Sequence, residues 1–239
     1  MCGIYGSSKF NEFSDLYELN STRGEFAHGH LFIDTSTNTI ETCRRPGRAT
    51  YASESGTYLH LPDPISPSLE KNYELYIGHT QSPTGSVRNF TPETSHPFET
   101  NSWIVGHNGV INNYKELINT YLPDWWCDVD TSVILGLLEM YTATRHTTHE
   151  VDSIVERVLN MLHGTYGLFI YNKSMKHLYL ARSGSTLHYN PNRIKFSSTP
   201  CESLTPVPER ELLRLLPNDT RDIYVPVCKL TNTSSFVIF

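Results

Sequence analysis

Met1-Cys2-Gly3-Ile4-Tyr5-Gly6 opens the chain, and its second residue sets the reading of everything after it. With Met1 removed, Cys2 becomes an N-terminal residue carrying a thiol nucleophile and a free α-amine together. That amine has a reference pKa of roughly 7.7–8.0, close to the working pH. Such a residue supplies its own general base, and the same amine can return the proton to a leaving group. Cysteine has a short side chain, so removal of Met1 in the cytosol is expected. A second reading stands beside this one. Cys is among the most buried residue types, and Cys2 also suits an ordinary small position at the start of a strand. Ile4-Tyr5 followed by Gly6 fits a strand in either case.

Outward from this stretch, a strand over 2–6 precedes a helix over 11–20, where Phe13, Leu16, Tyr17 and Leu19 take helical spacing. Residues 21–30 read as a turn-rich entry to a strand at 31–34. A break at 35–38 and a return strand at 39–43 follow. Pro62, Pro64 and Pro67 make 60–68 a stiff surface loop. Residues 74–80 form a strand of the buried type and run into turn chemistry at 81–86. The strand at 103–107 ends at Asn108-Gly109, and 112–121 is a short helix. Asp130-Thr131 opens a clear helix with Val133, Ile134, Leu137, Leu138 and Tyr141 on one face. The next helix presents Val151, Ile154, Val155, Val158, Leu159 and Leu162. Strands follow at 165–172 and 177–182, with shorter β segments near 194–198, 223–227 and 235–239. Residues 209–216 read as one more helix. Strands and helices are segregated rather than alternating, which argues for α+β layers and against a doubly wound parallel sheet.

Composition narrows the function. The chain has 239 residues, 38% of them hydrophobic and 18% charged, which suits one globular domain spanning 1–239. A net charge of −6 with no basic run gives no phosphate-neutralising patch, so nucleic acid is not an expected partner. The eleven histidines and five cysteines form no CxxC or HExxH spacing, and no metal is expected. No phosphate-binding loop is present, and no cofactor is called for. The cysteine count is odd and widely spaced. No signal peptide opens the chain and no apolar run approaches a membrane span, which predicts a reduced, cytoplasmic protein that does not enter a membrane.

Three further stretches could carry chemistry. At Asn108-Gly109, a side-chain amide and the following backbone N–H can converge on one oxygen, as an oxyanion hole requires. The same dipeptide is also the strongest short signal for a type I′ hairpin turn. Asp130 reads either as a helix N-cap or as a carboxylate placed to receive a substrate ammonium. Arg23 before Gly24 either braces the N-terminal residue through its guanidinium or stands solvated in a turn.

Taken in order, MCGIYG (1–6), RGEFAHG (23–29), GHTQSPTG (78–85), SHPF (95–98), VGHNGVINNY (105–114), CDVDTSVI (127–134), GTYGLFI (164–170), LARSGSTL (180–187) and KFSSTPCESL (195–204) make a specific series. The series resembles the glutaminase domain of class II glutamine amidotransferases, the N-terminal-nucleophile group, over essentially the whole chain. That resemblance implies a four-layer αββα sandwich of two antiparallel sheets between helices. It implies that Cys2 attacks the side-chain amide of glutamine, forms a γ-glutamyl thioester and releases ammonia. Asn108 and the Gly109 N–H would hold the oxyanion, Asp130 the α-ammonium, and Arg23 would support Cys2. Thr84 would line the pocket, in a loop that closes as a lid.

One departure stands out. The family carries Arg, which grips the substrate α-carboxylate, where this chain has Gln81. A charge-assisted bidentate pair is about twice as strong per bond as a neutral one. With Gln81, glutamine binds weakly, or Arg88 or a cation from a partner chain substitutes, or the substrate is a different amide. Little chain remains beyond the glutaminase module, so the expected partner is a separate ammonia-accepting synthase subunit. Two other outcomes are an amidohydrolase acting on another amide and a catalytically silent partner-binding module that retains Met1.

Overall fold

The computed structural model describes residues 1–48, 73–83, 90–125, 129–142, 147–215 and 224–231. Along the chain run β1 (Gly3–Ser7), α1 (Phe10–Ser21), β2 (Ala27–Asp34), β3 (Thr39–Pro46), β4 (Leu75–Gln81), a 3-10 turn (Pro92–Thr94), β5 (Phe98–Glu99), β6 (Trp103–Ile111), α2 (Tyr114–Tyr121), α3 (Thr131–Tyr141) and α4 (Thr148–Met161). There follow β7 (Gly164–Asn172), β8 (His177–Ser183), β9 (His188–Tyr189), β10 (Lys195–Ser197), β11 (Thr205–Pro206), β12 (Glu211–Leu215) and β13 (Tyr224–Lys229). Two sheets form, in the orders β11-β9-β10-β1-β4-β2-β3 and β13-β12-β8-β7-β6-β5. Neighbouring strands pair antiparallel throughout.

Side-chain alternation along each strand turns these sheets into layers. In β1, Ile4 joins an apolar cluster shared with Ile104, Phe169, Tyr171 and Leu180 of the other sheet. The next residue, Tyr5, turns the opposite way onto Phe13, Leu16 and Tyr17 of α1. In β6, Ile104 faces the first sheet, whereas Trp103 and Val105 pack with α2, α3 and α4. Three apolar clusters therefore separate four layers: α1, the seven-stranded sheet, the six-stranded sheet, and the α2–α4 face. This is the αββα sandwich expected from the sequence. Strands covered on both faces are buried continuously, as β2 and β4 are, rather than alternating apolar with polar.

Several local readings are corrected. The helix expected over 209–216 is not formed in its described part: Glu211–Leu215 is a strand between β8 and β13. Leucine favours helices in isolation, but here Leu213 and Leu215 fill the inter-sheet core while Leu212 faces the helices. Burial on both faces overrides propensity. The strand at 103–107 does not stop at Asn108-Gly109. It continues to Ile111, with Asn108 opposite Gly167 and Gly109 opposite Tyr166, so this dipeptide is no hairpin turn. Nor is 27–30 a turn, because those residues pair with β3 on one side and β4 on the other. The expected loop at 60–68 and strand at 235–239 lie outside the described residues. Among the described residues, no helix is long and apolar enough to cross a membrane.

Candidate active site

Cys2 sits at the head of β1, only 8% exposed, in phase with Ile4 and therefore on the inter-sheet side of its strand. Two neighbours hold it there. Arg23 donates from Nε to the Cys2 carbonyl at 2.9 Å and from Nη2 to Thr186 Oγ1 at 3.0 Å, so its guanidinium braces the N-terminal strand rather than standing in solvent. The Cys2 thiol points at the Ser82 carbonyl at 3.6 Å, and Ser82 Oγ donates to the Arg23 carbonyl at 2.9 Å. Burial pushes the Cys2 thiol above its ordinary value, and the nearby Asp130 carboxylate adds to that against the pull of the amino terminus and Arg23. A thiol held in this way rests protonated and needs an adjacent base before it can attack.

Against Gly3, the neighbour of Cys2, packs a residue to which the sequence assigned no role. Asn20 is fully buried at the end of α1. Its Nδ2 donates to the Leu16 carbonyl at 2.7 Å and to Ser197 Oγ at 2.8 Å, and its Oδ1 accepts from Thr199 Oγ1 at 3.0 Å. Thr80 Oγ1 in turn donates to the Asn20 carbonyl at 3.0 Å. The available signal was its position, four residues after Leu16 on the apolar face of α1. A polar side chain there needs buried partners.

Across the gap, Asn108 shares the phase of Ile104 and faces the first sheet; it is 4% exposed. Its Nδ2 is buried and has no hydrogen-bond partner among the described residues. Gly109 holds φ at +147°, and a Cβ there would overlap the Thr165 carbonyl oxygen. Only glycine meets both demands. Gly109→Ala is accordingly expected to destabilise the fold by about 2–4 kcal/mol through strain and overlap. Differential scanning calorimetry should show Tm lower by roughly 5–15 °C; an unchanged Tm would mean that the strand relaxes at no cost.

β1 and β6 make contact across the sheets, and a histidine joins the ends that matter. His79 lies opposite Ile4 in β4, and its Nε2 bonds the carbonyl of His107, the residue before Asn108, at 2.9 Å. Burial drives the His79 pKa down to about 4, so the ring is neutral at physiological pH. Asp130 ties α3 to the same strand. Its Oδ1 accepts from Thr131 N at 2.9 Å and its Oδ2 from Ile111 N at 2.8 Å. The side chain keeps 21% exposure, so capping has not consumed all of its acceptor capacity. Both readings of Asp130 are thus compatible with one geometry.

Gln81 follows a different course. It is 3% exposed, its Oε1 accepts from the His96 N–H at 3.2 Å, and its Nε2 reaches the Thr94 carbonyl at 3.5 Å. Its amide is engaged with the segment 94–96. Thr84 lies outside the described residues. Among the described residues, no group of three or more His, Cys, Asp or Glu is placed to hold a metal ion. Around the facing strands β1 and β6 stand a buried thiol, a desolvated amide donor and, near enough to the thiol to act on its charge, a partly open carboxylate. Those groups suit acyl transfer at an amide carbon.

Residues 90–200 match the family described as glutamine amidotransferase domain. Over 128 residues the chain is 33% identical to a glutamine–fructose-6-phosphate aminotransferase (isomerizing) of Staphylococcus epidermidis, covering 52% of this chain and 20% of that protein. The Staphylococcus aureus enzyme of the same name is 29% identical over 196 residues, 78% of this chain and 30% of that protein. The chain thus spans under a third of these relatives' length. Among solved structures, the glutamine phosphoribosylpyrophosphate amidotransferase of B. subtilis superposes with TM-score 0.66 at 19% identity, covering 95% of this chain and 49% of that one. A glutamine aminotransferase class-II domain protein from Silicibacter pomeroyi gives TM-score 0.53 at 13% identity, covering 95% and 100%. These structural likenesses establish the fold.

Proposed function

From the premise that the chain carries a glutamine amidotransferase domain of class II, we propose that residues 1–239 act as a glutaminase subunit that frees ammonia for a separate synthase in the cytoplasm. With Met1 removed, the Cys2 amine takes the thiol proton and Sγ attacks the side-chain amide carbon of glutamine. The oxyanion forms against Asn108 Nδ2 and the Gly109 N–H. The amine then delivers its proton to the departing nitrogen, ammonia leaves, and a γ-glutamyl thioester remains for water to hydrolyse. Asp130 receives the substrate α-ammonium, Arg23 holds the Cys2 backbone against recoil, and Thr84 contributes to the pocket.

One observation carries this reading: Asn108 Nδ2, buried on the face turned toward the first sheet, has no hydrogen-bond partner among the described residues. Leaving a buried donor unpaired costs about 1–3 kcal/mol. An oxyanion formed during reaction would give this donor its acceptor. The test is a glutaminase assay on N-terminally processed protein, with mass spectrometry after exposure to an electrophilic glutamine analogue. Equal release of glutamate and ammonia and one adduct on Cys2 are expected. Inertness toward glutamine and the analogue, with and without candidate synthases, would overturn the reading. A second reading, hydrolysis of an amide other than free glutamine, is favoured by Gln81, whose neutral amide is occupied with Thr94 and His96. Running the same assay on amides that lack an α-carboxylate ranks the two.

A further inference from the structure

We propose that His96, Thr131 and His107 form a one-way hydrogen-bond relay that fixes the Asn108 strand against the Asp130 carboxylate, making all three positioning residues for the chemistry at Cys2. The inference rests on the glutaminase reading for its kinetic consequences, but its geometry stands by itself.

The direction of every proton follows from the partners. His107 Nε2 lies 3.3 Å from the Thr165 carbonyl, which only accepts, so Nε2 carries the proton. In the neutral ring Nδ1 is then an acceptor, and its partner at 3.0 Å is Thr131 Oγ1. The Thr131 hydroxyl has one proton and gives it to His107. It must therefore accept from His96 Nε2, 2.9 Å away, which places the His96 proton on Nε2. His79 stacks on His96 with centroids 4.2 Å apart and 16° between planes, and it donates from Nε2 to the His107 carbonyl. These bonds place the proton on Nε2 of each ring.

The relay joins the parts that must keep station. Thr131 is the first residue of α3 and its N–H holds Asp130 Oδ1. His107 precedes Asn108. The His96 N–H is bonded to Gln81 Oε1, which makes Gln81 a strut for the relay. Displacing Thr131 therefore moves the ammonium-binding carboxylate and the oxyanion donor together, and donors must stand 2.7–3.1 Å from the developing charge.

The relay works only while His107 is neutral. Facing it are Asp130 and Thr131 from α3, His79 from β4, His96 from the segment before β5, and the Thr165 carbonyl from β7. Asp130 Oδ2 is 3.9 Å from His107 Nδ1 and is the partner that a charged ring would take. Burial holds His107 below its ordinary value against the pull of Asp130, which keeps the relay intact at neutral pH.

Two variants and one spectrum test this. In the wild-type protein, nitrogen-15 NMR of the histidine side chains should show His79, His96 and His107 neutral at pH 7 with the proton on Nε2. Thr131→Val keeps the shape and removes both hydroxyl bonds. It should lower kcat for glutamine by roughly tenfold to a hundredfold. On the acid side it should also raise KM, because a protonated His107 would there compete for Asp130. The acid limb of kcat should move up by about one pH unit, the equivalent of one lost neutral hydrogen bond. Thr131→Ser should restore kcat and the acid limb. A proton on His107 Nδ1 in the wild type, or a Thr131→Val acid limb that does not move, would overturn the relay. Should Thr131→Val fail to fold, the wild-type tautomers and the Thr131→Ser profile decide. A wild type inert toward glutamine would sink the glutaminase reading instead, leaving the spectrum to judge the relay.

Discussion

Replacing Cys2 with alanine is expected to abolish glutamine hydrolysis, a fall of at least ~10⁴-fold, because the covalent route is lost and water has no other activated nucleophile in the gap. The fold should persist. Cys2 contributes one small buried side chain and one long S–H contact to the Ser82 carbonyl. The backbone of this residue is held independently by Arg23 Nε, and Gly3 is paired with Thr80 across the ladder. Removing a single sulfur from such a site should cost about 1 kcal/mol and lower Tm by a few degrees. Glutamine binding should survive, since Asp130 is untouched. The combination to look for is lost turnover, retained binding by calorimetry and a near-native melting curve. Retained hydrolysis in the alanine variant would remove Cys2 from the chemistry.

Asn108→Ala should lower kcat by about 10²–10³-fold, the loss that follows removal of one oxyanion donor, equivalent to about 2.7–4 kcal/mol in the barrier. The accompanying stability change separates this from a structural role. An asparagine that held the fold would take stability with it when truncated. Here Nδ2 has no partner among the described residues, so removing it relieves an unpaired buried donor. Tm should therefore stay level or rise slightly, by up to roughly 1 kcal/mol of added stability. KM should change little, because the donor acts on charge that develops only during reaction. Single-turnover acylation measured alongside calorimetry provides both numbers. A variant that melts early and keeps its acylation rate would assign Asn108 to the scaffold.

Much of the sandwich was legible before any coordinates. Val151, Ile154, Val155, Val158 and Leu159 lie on one helical face and all are buried in α4. β7 and β8 appeared within a residue of their observed limits because their apolar runs are long. Shorter elements left no period to read. β5, β9 and β11 have two residues each and exist only because a neighbouring strand supplies their hydrogen bonds. Gln81 was read as a pocket residue from its place in GHTQSPTG; its bonds to Thr94 and His96 depend on a segment more than ten residues away. Asn20 reaches Ser197 across 177 positions, a pairing that no local pattern announces.

The chain by itself supplied the side chains proposed for the chemistry and their order: a sulfur at position 2, an arginine at 23, an asparagine and glycine at 108–109, a carboxylate at 130. Periods of two and of about 3.6 residues also determined where most helices and long strands lie, since those periods are properties of neighbouring residues. Only the tertiary structure decided what faces what. Alternation from Ile4 and from Ile104 puts Cys2 and Asn108 on the facing sides of the two sheets, pairing with β7 keeps Asn108-Gly109 a strand, and packing on both faces makes a strand of Glu211–Leu215. These outcomes turn on partners distant in sequence, whose approach is set by burial of the whole core rather than by any window of residues.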